Sequence, residues 1–253
     1  LVKQKDGSRI VNMATCCLYI KPLDVAAKAL QMQTQIRSKS DKRQTMSRML
    51  AAAHQEFCNK GLAGGRIDEI ARNAGVTKQL IFHYYGSKEG LFVAVLDETS
   101  DRLMTGWVDF DVEQLTPTQA LRALLNHIFD QYRNDPLLAR LAQEGVRYHD
   151  YNQTPRNRFL ELAPALVDKV GRIVQRGIEC RSFKPDTQPR LLLATAALIA
   201  TGWFTNAYST SALVGLDTAS EEGMETWRKH CADFILASIV ATHGGEPRSP
   251  RAD

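Results

Sequence analysis

The sequence predicts an all-α protein on three observations: apolar residues recur at helical spacing in almost every long segment, no stretch alternates convincingly at period two, and Gly, Pro and capping residues mark where segments start and stop. With 253 residues, 44% of them hydrophobic and 24% charged, the chain can bury one good core or two modest ones. That excludes disordered and fibrous classes. No internal repeat or low-complexity segment interrupts the pattern.

The first confident helix carries Met46, Leu50, Ala53 and Phe57 on one stripe, and Gly61 ends it. A short helix follows with Ile67, Ile70, Ala71 and Ala74 inward. Gly75 supplies a tight turn, and Thr77 caps a third helix that runs to about Tyr85. Gly86 breaks that helix. Ser87 then caps a fourth whose positions Phe92, Val95, Leu96, Thr99 and Leu103 point one way.

Thr116-Pro117 is a cap followed by proline at the first helical position, opening a stripe of Leu121, Leu124, Leu125, Ile128, Phe129 and Tyr132. Asn134-Asp135-Pro136 ends it and starts a shorter helix. Thr154-Pro155 and Pro164 divide the next region, which closes in a helix bearing Leu166, Val170, Ile173, Val174 and Ile178. Phe183 to Asp186 reads as a loop. Two long helices, residues 188–209 and about 219–242, complete the pattern before a Gly- and Pro-containing tail. The domains expected are a loosely held extension over residues 1–40, with 1–31 upstream of the main machinery, a head over 41–88, a body over 89–243 and a tail over 244–253.

Charge is unevenly placed. Residues 1–100 hold 15 Lys/Arg against 9 Asp/Glu (+6), and residues 101–253 hold 17 against 19 (−2). A basic head on a slightly acidic body suits a polyanion that meets the head alone. Cys16, Cys17, Cys58, Cys180 and Cys231 are odd in number and scattered, with no zinc-ligand spacing, which favours a reducing cytoplasm. The apolar run at residues 10–20 imitates a secretory signal, but Asn12 and Thr15 interrupt it. No segment reaches the roughly 20 apolar residues of a membrane span, so no membrane partner is expected.

Two short helices joined by a Gly-containing turn behind a longer packing helix form a helix-turn-helix, here Ile67 to Tyr85. An ordinary helical hairpin in a scaffold shares this geometry, so the outward face has to separate the two. With Ile81 and Tyr85 as buried anchors, Lys78, Gln79, Phe82 and His83 project away from the core. Lys donates to guanine, Gln pairs bidentately with adenine, and an apolar group touches a thymine methyl. Lys88 opposes the helix dipole in the first turn of the fourth helix, a position that a bound phosphate explains.

Residues 65–98, GRIDEIARNAGVTKQLIFHYYGSKEGLFVAVLDE, resemble the helix-turn-helix signature of the tetracycline-repressor (TetR) family. Ile70-Ala71, Ala74-Gly75-Val76, Thr77-Lys78, the aromatic run Phe82 to Tyr85 and Ser87-Lys88-Glu89 fall at the family spacing, and residues 44–64 match its first helix. The close match covers roughly 55 residues; the rest agrees in helix count and order. Gly65 and Arg66 stand where the family commonly has Ser or Thr, and Phe82 where it commonly has Tyr. The resemblance implies a DNA-binding transcription regulator, released from its operator by a small molecule, with Arg66, Thr77, Lys78, Gln79, Leu80, Phe82, His83, Tyr84 and Lys88 facing DNA.

The resemblance also implies a homodimer in which the last two helices form a four-helix bundle with a second copy. Independently, residues 191–204 are apolar nearly all round, and Leu198, Trp227, Phe234 and Ile235 are the residues assigned to the interface. Trp107, Phe129, Tyr132, Tyr148, Phe159 and Trp203 are candidate walls of an effector pocket. No nucleophile elbow, phosphate loop, metal-ligand cluster or cofactor motif occurs, so no enzyme, cofactor or metal is expected. His127 with Asp130, and His149 beside Asp150, are weak acid–base candidates. The rival reading, a helical interaction scaffold or a ligand-binding protein without DNA function, leaves the exposed Lys78, Gln79, His83 and Lys88 unexplained.

Overall fold

The computed structural model describes residues 22–135, 137–152 and 157–241, with side chains from residue 40 onward. Ten helices follow one another among the described residues: α1 Pro22–Gly64, α2 Ile67–Ala74, α3 Lys78–Tyr85, α4 Lys88–Asp109, α5 Pro117–Asn134, α6 Leu138–Asn152, α7 Arg158–Glu179, α8 Pro189–Thr205, α9 Ala207–Val214 and α10 Glu221–Ile239. The segment up to Met46 forms one compact unit, and Ser47 onward forms another that holds helix-turn-helix and body together. The backbone is helical from Pro22, inside the stretch expected to be loosely held; residues 1–21 and the tail lie outside the described residues.

Gly61, with φ 68° and ψ 176°, breaks the α1 helical path where the sequence places a stop. The buried stripe on α1 is Met49, Ala53 and Phe57, while Met46 and Leu50 are only half-buried, a rotation of the expected face toward Met49. Gly75 adopts a left-handed conformation at the end of α2, and the Val76 N–H donates to Ala71 O at 3.0 Å, closing the helix. Thr77 and Ser87 accept the Leu80 and Gly90 N–H groups at 3.2 and 3.0 Å, so both predicted caps form. Thr116 and Gln119 form a capping box at the start of α5.

The body core draws on Leu103 and Trp107 of α4, Leu121, Leu124 and Ile128 of α5, Leu166, Val170 and Ile173 of α7, and Ile235 and Leu236 of α10. Helix α4 packs most extensively on α7. Two polar clamps fix that pairing. Asp97 accepts the Arg158 N–H at 3.0 Å at the start of α7, and the buried Lys169 donates to Val108 O at 2.7 Å and to Phe110 O at the end of α4. Burial pushes the Lys169 ammonium below its ordinary value.

Two expectations need correction. Pro164 does not divide its region: it lies inside α7, which runs unbroken from Arg158. The predicted helix 188–209 ends at Thr205 and turns by 91° into α9. Asn206, with φ −123° and ψ 33°, leaves the helical path there, and its side-chain amide donates to Gly202 O at 3.4 Å. Among the described residues no single helix is long and apolar enough to cross a membrane.

Candidate nucleic-acid interface

The α3 helix is held from below and open above. Ile81 is fully buried, Tyr85 is half-buried, and Lys78, Gln79, Phe82 and His83 are exposed, as the helical phase requires. Leu80 and Tyr84 lie half-buried along the flanks, and Thr77, although exposed, is engaged as the cap. Lys78 Nζ pairs with Asp68 of α2 at 3.1 Å, an exposed pair that an incoming phosphate or guanine would displace at small cost.

The α1–α2 junction is braced from two sides. Glu56 of α1 is buried, and its Oε1 accepts the Arg66 N–H at 3.0 Å and the Lys60 ammonium at 2.8 Å. This carboxylate satisfies the N–H that heads α2, where Arg66 supplies no side-chain cap. Burial pushes the Glu56 carboxyl up, but Lys60 and the Arg66 N–H outweigh it and hold the group below its ordinary value. Gly65 is buried where a Cβ would fall 2.7 Å from the Phe57 ring, which explains glycine at this departure from the family pattern. The Arg66 side chain is exposed.

Lys88 has a structural partner that the sequence did not reveal. Its Nζ donates to Ala63 O at 3.1 Å and Gly65 O at 3.2 Å, collecting one carbonyl from the last turn of α1 and one just past it. Its place against the α4 dipole is therefore explained without a phosphate, although one of the three ammonium donors stays available.

The predicted effector-pocket residues divide among several packings. Trp203 stacks on Trp227 at 4.9 Å and donates to Thr218 O at 2.9 Å; Phe129 and Tyr132 both pack on Phe204. Tyr148 sits edge-on to Phe92, which sits edge-on to Phe57, a ladder from α6 through α4 to α1. Trp107 is core, and Phe159 is exposed. Apart from Phe129 and Tyr132, three residues apart on α5, these side chains stand on different helices and share residue type rather than a face. The acid–base candidates also part: Asp130 accepts from Arg228 Nε and Nη2 at 2.9 and 2.8 Å while His127 stacks on Phe110, and Asp150 is exposed. Among the described residues no cluster of three metal-ligating side chains occurs.

The residues assigned to dimerisation divide. Leu198 and Phe234 are exposed at 75% and 55%, and with half-buried Trp227 they line one shallow groove between α8 and α10. Ile235 turns the other way: it is 2% exposed within the chain's own core, one residue around α10 from Phe234, and it cannot meet a second copy.

Comparison with known proteins agrees with this geometry. Residues 49–95 match the model of bacterial regulatory proteins of the tetR family, and residues 117–235 match the tetracyclin repressor-like C-terminal domain. The chain is 26% identical over 199 residues to the HTH-type transcriptional repressor NicS of Pseudomonas putida, covering 77% of this chain and 92% of NicS. It is 34% identical over 109 residues to the HTH-type transcriptional repressor SCO4008 of Streptomyces coelicolor, covering 43% of this chain and 53% of that protein. A TetR transcription regulator from Haloarcula marismortui superposes with a TM-score of 0.62 at 20% identity, over 78% of this chain and 98% of that one. With the helix-turn-helix and the helical body both matched, the chain belongs to the TetR family and is a DNA-binding transcription regulator.

Proposed function

We propose that this regulator is a homodimeric repressor that holds a near-palindromic operator and lets it go when a small, largely apolar effector enters the body. The observation that carries the reading is the exposed Lys78, Gln79, Phe82 and His83 face on a helix whose opposite side is pinned by Ile81. One such helix reads only a few base pairs, so specificity needs two, with centres roughly 34–36 Å apart or at a spacing reached by bending DNA. Residues 41–88 act as the DNA-binding head and 89–243 as the sensing and dimerising body, working in the cytoplasm where the chromosome lies. The similarity to NicS, named a repressor, over most of both chains supports repression.

For the effector, two polar atoms on the buried face of α4 support entry beside that helix. Thr99 Oγ1 and Trp107 Nε1 are buried without a hydrogen-bond partner among the described residues. An entering ligand with one donor and one acceptor would satisfy both, and Leu103 between them supplies apolar contact. A coupling of about 1–3 kcal/mol gives roughly 5- to 150-fold release, and by reciprocity the operator weakens the effector by the same factor. The test is selection of operator DNA from a random pool by the purified protein, followed by titration of a thermal-shift hit with and without that operator. Recovery of a non-symmetric site, or equal effector affinities in the two titrations, overturns the reading.

A further inference from the structure

We propose that residues 37–48, the basic stretch that leads into the helix-turn-helix, form a second DNA contact that grips phosphates without reading bases. The segment matched to the tetR family, residues 49–95, holds five Lys/Arg against four Asp/Glu and is close to neutral. Most of these cations are already engaged. Lys60, Arg72 and Lys78 pair with Glu56, Glu69 and Asp68, and Lys88 holds the Ala63 and Gly65 carbonyls. Among the described residues the Arg66 side chain is the one of the five that enters no such contact.

The positive excess of the head lies earlier. Residues 37–48 hold Arg37, Lys39, Lys42, Arg43 and Arg48 against Asp41 alone (+4). On α1, Lys39 stands three residues before Lys42 and four before Arg43, spacings at which like charges repel across a helix surface. A polyanion relieves that repulsion, and duplex DNA, with one charge per about 1.7 Å of axis, is the polyanion this regulator meets. Arg48 stands where such a contact is needed. A Cβ on Gly75 would lie 3.4 Å from Arg48 Nη1, so this exposed guanidinium sits over the turn that leads to Thr77 and the start of α3. A recognition helix touches base edges with its N-terminal residues, so the basic stretch joins the head on its DNA side. Contacts of this kind go to phosphates and fix position, not sequence.

The inference rests on α3 as the reader of DNA, and the experiment keeps the two apart. The full chain carrying Arg37→Gln, Arg43→Gln and Arg48→Gln is compared with wild type and with Gln79→Ala. Affinity is measured across a salt series for operator selected from a random pool and for an unrelated duplex. The triple variant is expected to bind both duplexes about tenfold or more weakly at about 0.1 M salt, with the slope of log affinity against log salt smaller by about 3. Its thermal unfolding should match wild type. An unaffected triple variant beside a Gln79→Ala that loses its site preference overturns the phosphate contact alone, and indifference of both overturns α3 as well. Unchanged DNA affinity with lost binding to phosphatidylglycerol vesicles overturns the proposal in favour of a membrane surface. In a second measurement, which removes no charge, a photo-crosslinking phenylalanine replaces the exposed Gln44. Attachment to the duplex supports the contact, and cross-links confined to protein overturn it.

Discussion

Glu144 of α6 accepts the Leu62 N–H at 3.4 Å, one residue past the break at Gly61, while its neighbour Gln143 donates to Thr205 O at the end of α8 at 2.6 Å. Two adjacent side chains therefore tie one helix to the base of the DNA-binding head and to the end of α8, the helix that carries the proposed dimer face. Gly145, beside them, packs so closely on Leu96 that a Cβ would lie 3.0 Å from its methyl group. Helix α6 thus bridges the base of the head and the end of α8, and that bridging can be tested directly.

Glu144→Ala should release the Leu62 amide. Hydrogen exchange at residues 62–65 is expected to speed up by about tenfold, with global stability lowered by only about 1 kcal/mol, the worth of one partly exposed hydrogen bond. Exchange indistinguishable from wild type would show that the contact does not hold the head.

Gln79→Ala should cost on the order of 1–3 kcal/mol at one base pair per half-site and leave affinity for unrelated DNA alone. Site selection with the variant checks this. The same consensus as wild type would remove Gln79 from base readout.

Lys88→Ala should act on stability first, because it strips the Ala63 and Gly65 carbonyls of a charged donor. A loss of about 1–3 kcal/mol in denaturant unfolding is expected. If its remaining donor meets a phosphate, affinity falls alike for all DNA sequences and the slope of log affinity against log salt shrinks by about 1. Unchanged stability would contradict the bracing role.

Leu198→Glu should yield a monomer that binds operator weakly. This position is a cleaner probe than Trp227, whose indole donates to Ile199 O at 3.1 Å and stacks on Trp203, so that replacing it also damages the fold. Sedimentation combined with DNA titration distinguishes the outcomes. A fully competent dimer would place the interface elsewhere.

Glu56 sets a pH dependence. Its carboxyl is held below the ordinary value in the folded chain, so its stabilisation is complete above about pH 4.3, the ordinary glutamate value, and is lost as pH falls through the lowered one. Unfolding measured from pH 6 to pH 3 should show wild type losing stability faster than Glu56→Gln over the acidic end. Parallel curves would assign the acid sensitivity to other groups.

The sequence alone determined the head. Its caps at Thr77 and Ser87, its turn at Gly75, its break at Gly61 and the outward phase of Lys78, Gln79 and His83 are all set by residues within a few positions of one another, where backbone geometry and helical period leave few alternatives. Tertiary structure decided what depends on distant partners. Lys88 bonds carbonyls about 25 residues away, and Glu144 reaches an amide 82 residues away. The aromatics of the body went to separate packings because residue type carries no information about which helix faces which. Ile235 and Phe234, adjacent in sequence, stand about 100° apart around one helix, and only the position of α10 against the core shows which of them is covered and which is left exposed.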